Sequence, residues 1–238
     1  MLFGTEDLDV LAIGAHPDDI ELGAGGMIYR LIRERGARTR FLILSPGLQH
    51  WDPGRVFKRR TRVAEASKAA QALGVSASDV DVLDFPDCHL HLHLHDLIRQ
   101  IERRLHMNGN AANKVVLTHA PHDTHSDHRQ VYEATIAAAR AHTGTILLYQ
   151  AVSTMPNLFR PTCFVSLTDD AIDAKQKALE CHASQREKDF MKRVRTEGMA
   201  RSWALFLRRP DNFLEAFEVH KAFWNHAKAS ASRKNEPI

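Results

Sequence analysis

Apolar and polar positions alternate in blocks along this chain, and the blocks predict elements. Val10-Leu11-Ala12-Ile13 is a short apolar run that predicts a buried strand over 10–15. Further strands are predicted at 40–44, at Asp81-Val82-Leu83, at 115–118 and at 145–150. Helical spacing fills the intervals. A helix is predicted near 24–35, ending at Gly36, and another carries Val63, Ala66, Ala70 and Leu73 with Gly74 as its stop. Leu94, Leu97, Ile98, Ile101 and Leu105 mark one face of a third. A fourth runs from about His128 to Arg140, and residues 45–56 read as a Pro- and Gly-rich loop. Strand-helix alternation of this kind predicts an α/β fold, a mostly parallel sheet with helices on both faces. The C-terminal third is less regular. Residues 171–191 read as helical, a further helix is expected near 211–218, and 229–238 is a polar tail. No repeat or linker divides the chain, so one domain is expected over 1–228.

Composition changes this picture little. The chain has 238 residues, 44% hydrophobic, with a formal net charge of +3, which suits a single globular domain with its own core. The basic stretches Lys58-Arg59-Arg60 and Arg208-Arg209 read as solvated faces, and no nucleic-acid partner is expected. Three widely spaced cysteines, Cys88, Cys163 and Cys181, give neither a disulfide framework nor a CxxC zinc site. They fit a reducing compartment. No signal peptide is evident, and no apolar run reaches the ~20 residues of a membrane span. A cytoplasmic protein is expected.

The candidate chemistry lies at two strand ends. After the first strand comes Ala15-His16-Pro17-Asp18-Asp19-Ile20-Glu21-Leu22-Gly23-Ala24-Gly25-Gly26; after the 115–118 strand comes His119-Ala120-Pro121-His122-Asp123-Thr124-His125-Ser126-Asp127-His128. Ligands of open α/β sheets bind at the carboxyl ends of strands, and His with Asp suits a zinc-like divalent ion. The ordinary reading of Asp18 and Asp19 is a helix N-cap pair. His119 and His122 are expected to be structural or supporting. The glycines do not form G-x-G-x-x-G, and the second strand ends in Ser45-Pro46 without an acidic residue, so a dinucleotide site is not indicated. Cys88-His89-Leu90-His91-Leu92-His93-Leu94-His95 would put four histidines on one face if extended, with a second metal as one outcome. A polar face ahead of a helix at Asp96 is the favoured reading.

Together, Ala15-His16-Pro17-Asp18-Asp19 and His125-Ser126-Asp127-His128 resemble the PIG-L (LmbE-like) family of zinc-dependent N-acetylglucosamine deacetylases. Arg62-x-x-Glu65, Phe85-Pro86-Asp87, His182-Ala183-Ser184-Gln185 and Glu215-Ala216-Phe217 resemble further signatures of that family. The resemblance implies a Rossmann-like sheet and one zinc, or Fe2+ or another divalent ion, held by His16, Asp19 and His128. It implies Asp18 as general base, His125 facing the reacting amide and Asp127 in support. By the motif match, Arg62 and Asp87 contact sugar hydroxyls or organise the pocket. The implied substrate is an N-acetylated sugar or glycoconjugate. The alternatives are a deacylase of a non-acetyl amide and a sugar- or nucleotide-binding module without turnover. Both a monomer and an oligomer are compatible with the pattern. Ser45-Pro46-Gly47-Leu48-Gln49 and Leu214-Glu215-Ala216-Phe217 depart from the family's usual Thr-x-Gly-Glu-like and Ala-Glu-Ala-Phe sequences; these changes touch the substrate side and leave the metal ligands intact.

Overall fold

The structure, a computed structural model, describes residues 8–49, 56–106, 114–142 and 144–222. The polar tail expected over 229–238 lies outside them, as does part of the 45–56 loop. Strands β1 (Asp9–Gly14), β2 (Arg38–Ile43), β3 (Val80–Val82), β4 (Lys114–His119) and β5 (Thr145–Tyr149) are parallel, and β6 (Cys163–Leu167) and β7 (Phe213–Lys221) complete a seven-stranded sheet ordered β3-β2-β1-β4-β5-β7-β6. β7 is antiparallel to both of its neighbours, β5 and β6. The fold is the expected single α/β domain.

Side chains alternate across the sheet and feed two cores. Val10 and Ala12 of β1 join one core, with residues of α1 (Asp19–Arg35), α2 (Arg59–Ala72) and α5 (Asp169–Glu180). Leu11 and Ile13 join the other, with residues of α3 (Leu94–His106) and α4 (Ser126–Ala138). Strands buried on both faces explain why the sequence shows short continuous apolar runs. β1 and β4 lie side by side, with Val10 opposite Val115. The chain leaves β1 through α1 towards β2, and leaves β4 through α4 towards β5, in opposite directions. A crevice therefore opens between the carboxyl ends of β1 and β4, the topological switch point of such sheets.

Two C-terminal expectations are corrected. The helix expected at 211–218 is instead strand β7 from Phe213, wedged between β5 and β6. Leu214, Glu215 and Ala216 are good helix formers, but pairing on both sides overrides local propensity. The 171–191 helix stops at Glu180 and gives way to two short 3-10 turns, 183–185 and 189–191. Helix α6 (Arg193–Phe206) and strand β6 lacked a clear sequence signal. Further upstream, α1 starts at Asp19, ahead of the expected 24–35.

The α1 glycines serve close packing. A Cβ on Gly23 would fall within the Tyr149 ring, and one on Gly26 would collide with the Leu167 side chain. Tyr149 is fully buried, and its hydroxyl donates to the Ile13 carbonyl at 2.8 Å. Glu215 of β7 accepts the Gly26 and Met27 N–H groups at 2.9 and 2.7 Å. Lys175 of α5 bonds Glu215 at 2.6 Å and the Leu22 carbonyl at 2.7 Å. This buried ion pair, with its hydrogen bonds made, seats α1 on the sheet.

Gly23→Ala should therefore lose about 1–3 kcal/mol of stability from overpacking, read by denaturant unfolding. A midpoint equal to that of the parent chain would contradict this account of the glycine.

Candidate metal centre

At the end of β1 the Ala15 N–H donates to His119 Nε2 at 3.1 Å, which ties the β1 and β4 ends together. The next residues turn into α1. His16 N–H donates to Asp19 Oδ2 at 2.7 Å, closing a loop that turns both side chains into the crevice. Asp18 precedes the helix with φ 109°, in the left-handed region, and its side chain makes no capping hydrogen bond. The N-cap reading of the Asp pair therefore fails: Asp19 holds a loop amide and Asp18 is not used as a cap. A non-glycine residue at such a φ stores strain, and Arg62 holds the turn. Its Nη2 donates to the Pro17 carbonyl at 2.7 Å, and Nε donates to the Pro46 carbonyl at 3.3 Å.

Asp19 is the hub. Its carboxylate lies 3.3 Å from His128 Nε2, 3.3 Å from His119 Nε2 and 3.6 Å from His16 Nδ1. The far nitrogens of the two flanking histidines are held by acceptors. His16 Nε2 is 3.0 Å from Asp87 Oδ1 and 3.2 Å from Asp127 Oδ2. His128 Nδ1 is 3.2 Å from Asp123 Oδ2 and from Ser153 Oγ. Carboxylates only accept, so these far nitrogens carry protons and the near ones face Asp19. Carboxylate–histidine pairs of this kind orient metal ligands.

His16, Asp19 and His128 are all buried, and their ligand atoms lie within 4.8 Å of one another. The donor set, two imidazoles and one carboxylate, suits zinc or another borderline divalent ion. The electrostatics agree. Burial alone would lower both histidines, but Asp127, Asp19 and Asp87 raise His16 well above the ordinary range, and Asp19 and Asp123 lift His128 to about 9. Burial would raise Asp19, yet His128 and His119 hold it well below the usual carboxylate range. The cluster is thus built to hold positive charge. Asp18 is the exception: burial raises it, against the charge of Arg62.

His125 sits at the N-cap of α4, where its Nδ1 accepts the Asp127 N–H at 3.2 Å. Burial and the charges of His16 and His128 lower its pKa, and because Nδ1 accepts, the proton of the neutral ring is on Nε2. Its ring lies 4.9 Å from His16 and 4.6 Å from His128. Asp127 is fully buried and also accepts the Cys88 N–H at 2.7 Å and the Leu90 N–H at 3.3 Å. Asp87 Oδ2 accepts the Gln49 N–H at 2.8 Å. His16, Asp18, Asp19, Asp87, His125 and His128 line a cleft of about 700 Å³ that also presents Gln185, Lys188 and Phe190.

The structure brings together His16, Asp18, Asp19, Arg62, Asp87, His125, Asp127 and His128. His119 lies under His128, ring centroids 4.0 Å apart, and burial with the His128 charge pulls its pKa down to about 4. His122 is exposed. Sequence reasoning missed Asp123. Its Oδ1 accepts the His125 N–H at 2.8 Å while Oδ2 faces His128, so it holds both histidines; its place between two histidine-bearing turns was the available signal. It also left Glu65 and Ser184 without roles. Ser184 donates to Glu65 through N–H at 2.8 Å and Oγ at 2.6 Å, and Arg62 lies 3.5 Å from Glu65 and 3.4 Å from Ser184 Oγ. Arg62 is only 2% exposed, so these protein contacts make it an organiser of the pocket wall.

A Rossmann-like sheet with a His/Asp cluster at its switch point defines an α/β protein whose cleft could hold a metal ion. The comparisons narrow the class. Residues 11–139 match the PIG-L family, GlcNAc-PI de-N-acetylase. The chain is 33% identical over 177 residues to the uncharacterized deacetylase YaiS of Escherichia coli (strain K12), covering 74% of this chain and 90% of that protein. It belongs to the PIG-L family. Among solved structures, the conserved protein TT1542 from Thermus thermophilus superposes with a TM-score of 0.72 at 23% identity, over 94% of this chain and 100% of that one. The N,N'-diacetylchitobiose deacetylase from Pyrococcus horikoshii gives 0.69 at 21%, over 89% and 83%. The 4-carboxy-2-hydroxymuconate hydratase GalB of Pseudomonas putida KT2440 gives 0.71 at 20%, over 93% and 100%. These likenesses establish the fold.

Ser184→Ala should leave the Glu65 carboxylate short of a donor and cost about 1–3 kcal/mol. Urea unfolding measures this; a loss below ~0.5 kcal/mol, the scatter of ordinary surface changes, would show that the Arg62–Glu65–Ser184 contacts contribute little.

Proposed function

We propose that this chain is a metal-dependent hydrolase that removes the N-acetyl group from an N-acetylglucosamine-type sugar or glycoconjugate, releasing acetate and a free amine. The carrying observation is the Asp19 carboxylate bracketed by His16 and His128, with Asp18 beside it and uninvolved in capping. His16, Asp19 and His128 would hold one divalent ion, zinc by donor set, with Fe2+ as the nearest alternative. When bound, such an ion supplies a Lewis acid and lowers the pKa of water towards about 7.

The chain's own groups would do the rest. Asp18, raised by burial, suits a general base that takes the proton of the attacking water and returns it to the leaving amine. His125, neutral with Nε2–H available, would donate to the oxyanion that develops on the acetyl carbonyl. Asp127 and Asp87 keep His16 turned towards Asp19, and Asp123 does the same for His128. Arg62 fixes the turn that carries Asp18. The deacetylase names of the Escherichia coli and Pyrococcus horikoshii relatives support the reaction class, and the hydratase on the same fold shows why the site must carry the argument. Cys88, Cys163 and Cys181 are free thiols, which suits an enzyme of the reducing cytoplasm. Among the described residues no helix is long and apolar enough to cross a membrane.

Two neighbours should separate in mutagenesis. Asp18→Asn should keep the ion and lose activity by about 10²–10⁴-fold, the usual range for a general base. Asp19→Asn and His128→Ala should lose ion and activity together. Metal content by elemental analysis, with amine release from a panel of N-acetylated sugars, distinguishes these; equal metal loss in the Asp18 and Asp19 variants would refute the division of roles.

His125→Ala should lower kcat with the ion retained, by about 2.7–4 kcal/mol of barrier, as for loss of one oxyanion donor. Loss of metal in step with kcat would make His125 a ligand instead.

A further inference from the structure

The histidine run at 89–95 is not absorbed by the proposed reaction. It is not extended. The His89 N–H donates to the Pro86 carbonyl at 3.2 Å, residues Leu90–His93 form a 3-10 turn, and α3 begins at Leu94. This breaks the single face that an extended run would have made. His93 packs on Phe85, centroids 5.6 Å apart, and His95 is exposed on α3. His89 and His91 remain together. Both are exposed, and their rings lie 6.2 Å apart and 23° from parallel.

We propose that His89 and His91 form a second, weaker site for a borderline divalent cation at the mouth of the cleft. The tautomer of His89 points this way. Its Nδ1 lies 2.8 Å from the Asp87 carbonyl oxygen, which can only accept, so the proton is on Nδ1 and Nε2 keeps its lone pair. An imidazole whose second nitrogen is fixed by a carbonyl is prepared as a metal ligand. Two metal–nitrogen bonds of about 2.0–2.1 Å, each extended by a ring radius, span the observed separation with the nitrogens nearly opposite across the ion, and a tetrahedral ion draws the two exposed rings closer together. The backbone between the rings is anchored. Leu90 is fully buried, and the Cys88 and Leu90 N–H groups are bound to Asp127. His89 also lines the cleft. Imidazole pairs suit Zn2+, Ni2+ and Cu2+. With two protein ligands instead of three, the ion here is bound more weakly than at His16, Asp19 and His128.

The test does not depend on the deacetylase reading. The metal-stripped full chain is titrated with Zn2+ by calorimetry, and bound zinc per chain is counted after dialysis at fixed free zinc. Two binding phases are expected, the second at least about tenfold weaker, or 1.4 kcal/mol. The double variant His89→Ala/His91→Ala should lose the weak phase alone. His93→Ala/His95→Ala should keep both phases, and His128→Ala should lose the tight one alone. A single phase in the parent chain would overturn the proposal. So would a weak phase that survives in His89→Ala/His91→Ala, or one that disappears in His93→Ala/His95→Ala.

Discussion

Asp19 is 5% exposed, its carboxylate lies between imidazoles from two strand ends, and everything else at the cleft is arranged around that fact. An ionised carboxylate taken out of water is costly unless it is paired and hydrogen-bonded. Here the His16 amide donates a hydrogen bond, and His16 and His128, both raised above the ordinary histidine range, supply positive charge. The same carboxylate fixes where a cation can sit, because both flanking histidines present their free edges to it. The histidines in turn need Asp87, Asp127 and Asp123 behind them, so one buried charge organises a shell of carboxylates and imidazoles.

That shell can form only where two strand ends meet. β1 and β4 pair in the sheet, the chain leaves them in opposite directions to open the crevice, and the Ala15-to-His119 hydrogen bond joins their ends. The position of α1 is equally constrained. Gly23 admits the Tyr149 ring, Gly26 admits Leu167, and the Lys175–Glu215 pair grips the helix backbone. A displaced α1 would carry Asp19 away from His128. Arg62 adds the last restraint, on the turn that holds Asp18 in a backbone region most residues avoid. Packing far from the cleft is in this way part of the geometry of the site.

The parallel half of the fold was legible because its strands are buried on both faces and stand out as apolar runs. The ligand candidates were legible because His and Asp cluster at the ends of two of those runs. The glycines after Asp19 do not form a dinucleotide fingerprint, and their packing purpose depends on Tyr149 and Leu167, which lie far away in sequence. β7 was misread because Leu214, Glu215 and Ala216 carry helical propensity, whereas the decisive influences are β5 and β6. Asp123 and Ser184 were missed for a related reason: a residue that positions another through one hydrogen bond has no periodicity of its own. The histidine run follows the favoured reading, a polar stretch ahead of a helix, and not the extended alternative. Its period of two suggests a strand, but Leu90 buries in a 3-10 turn and the face is broken.

The most direct measurement is the anomalous-scattering location of zinc in crystals of the metal-loaded protein. The account predicts one strongly occupied ion bound through Nδ1 of His16, the Asp19 carboxylate and Nε2 of His128, with Asp18 outside the ligand set and Asp127 still bonded to His16 Nε2. An ion bound through His16 Nε2, or held by Asp18 in place of Asp19, would contradict it.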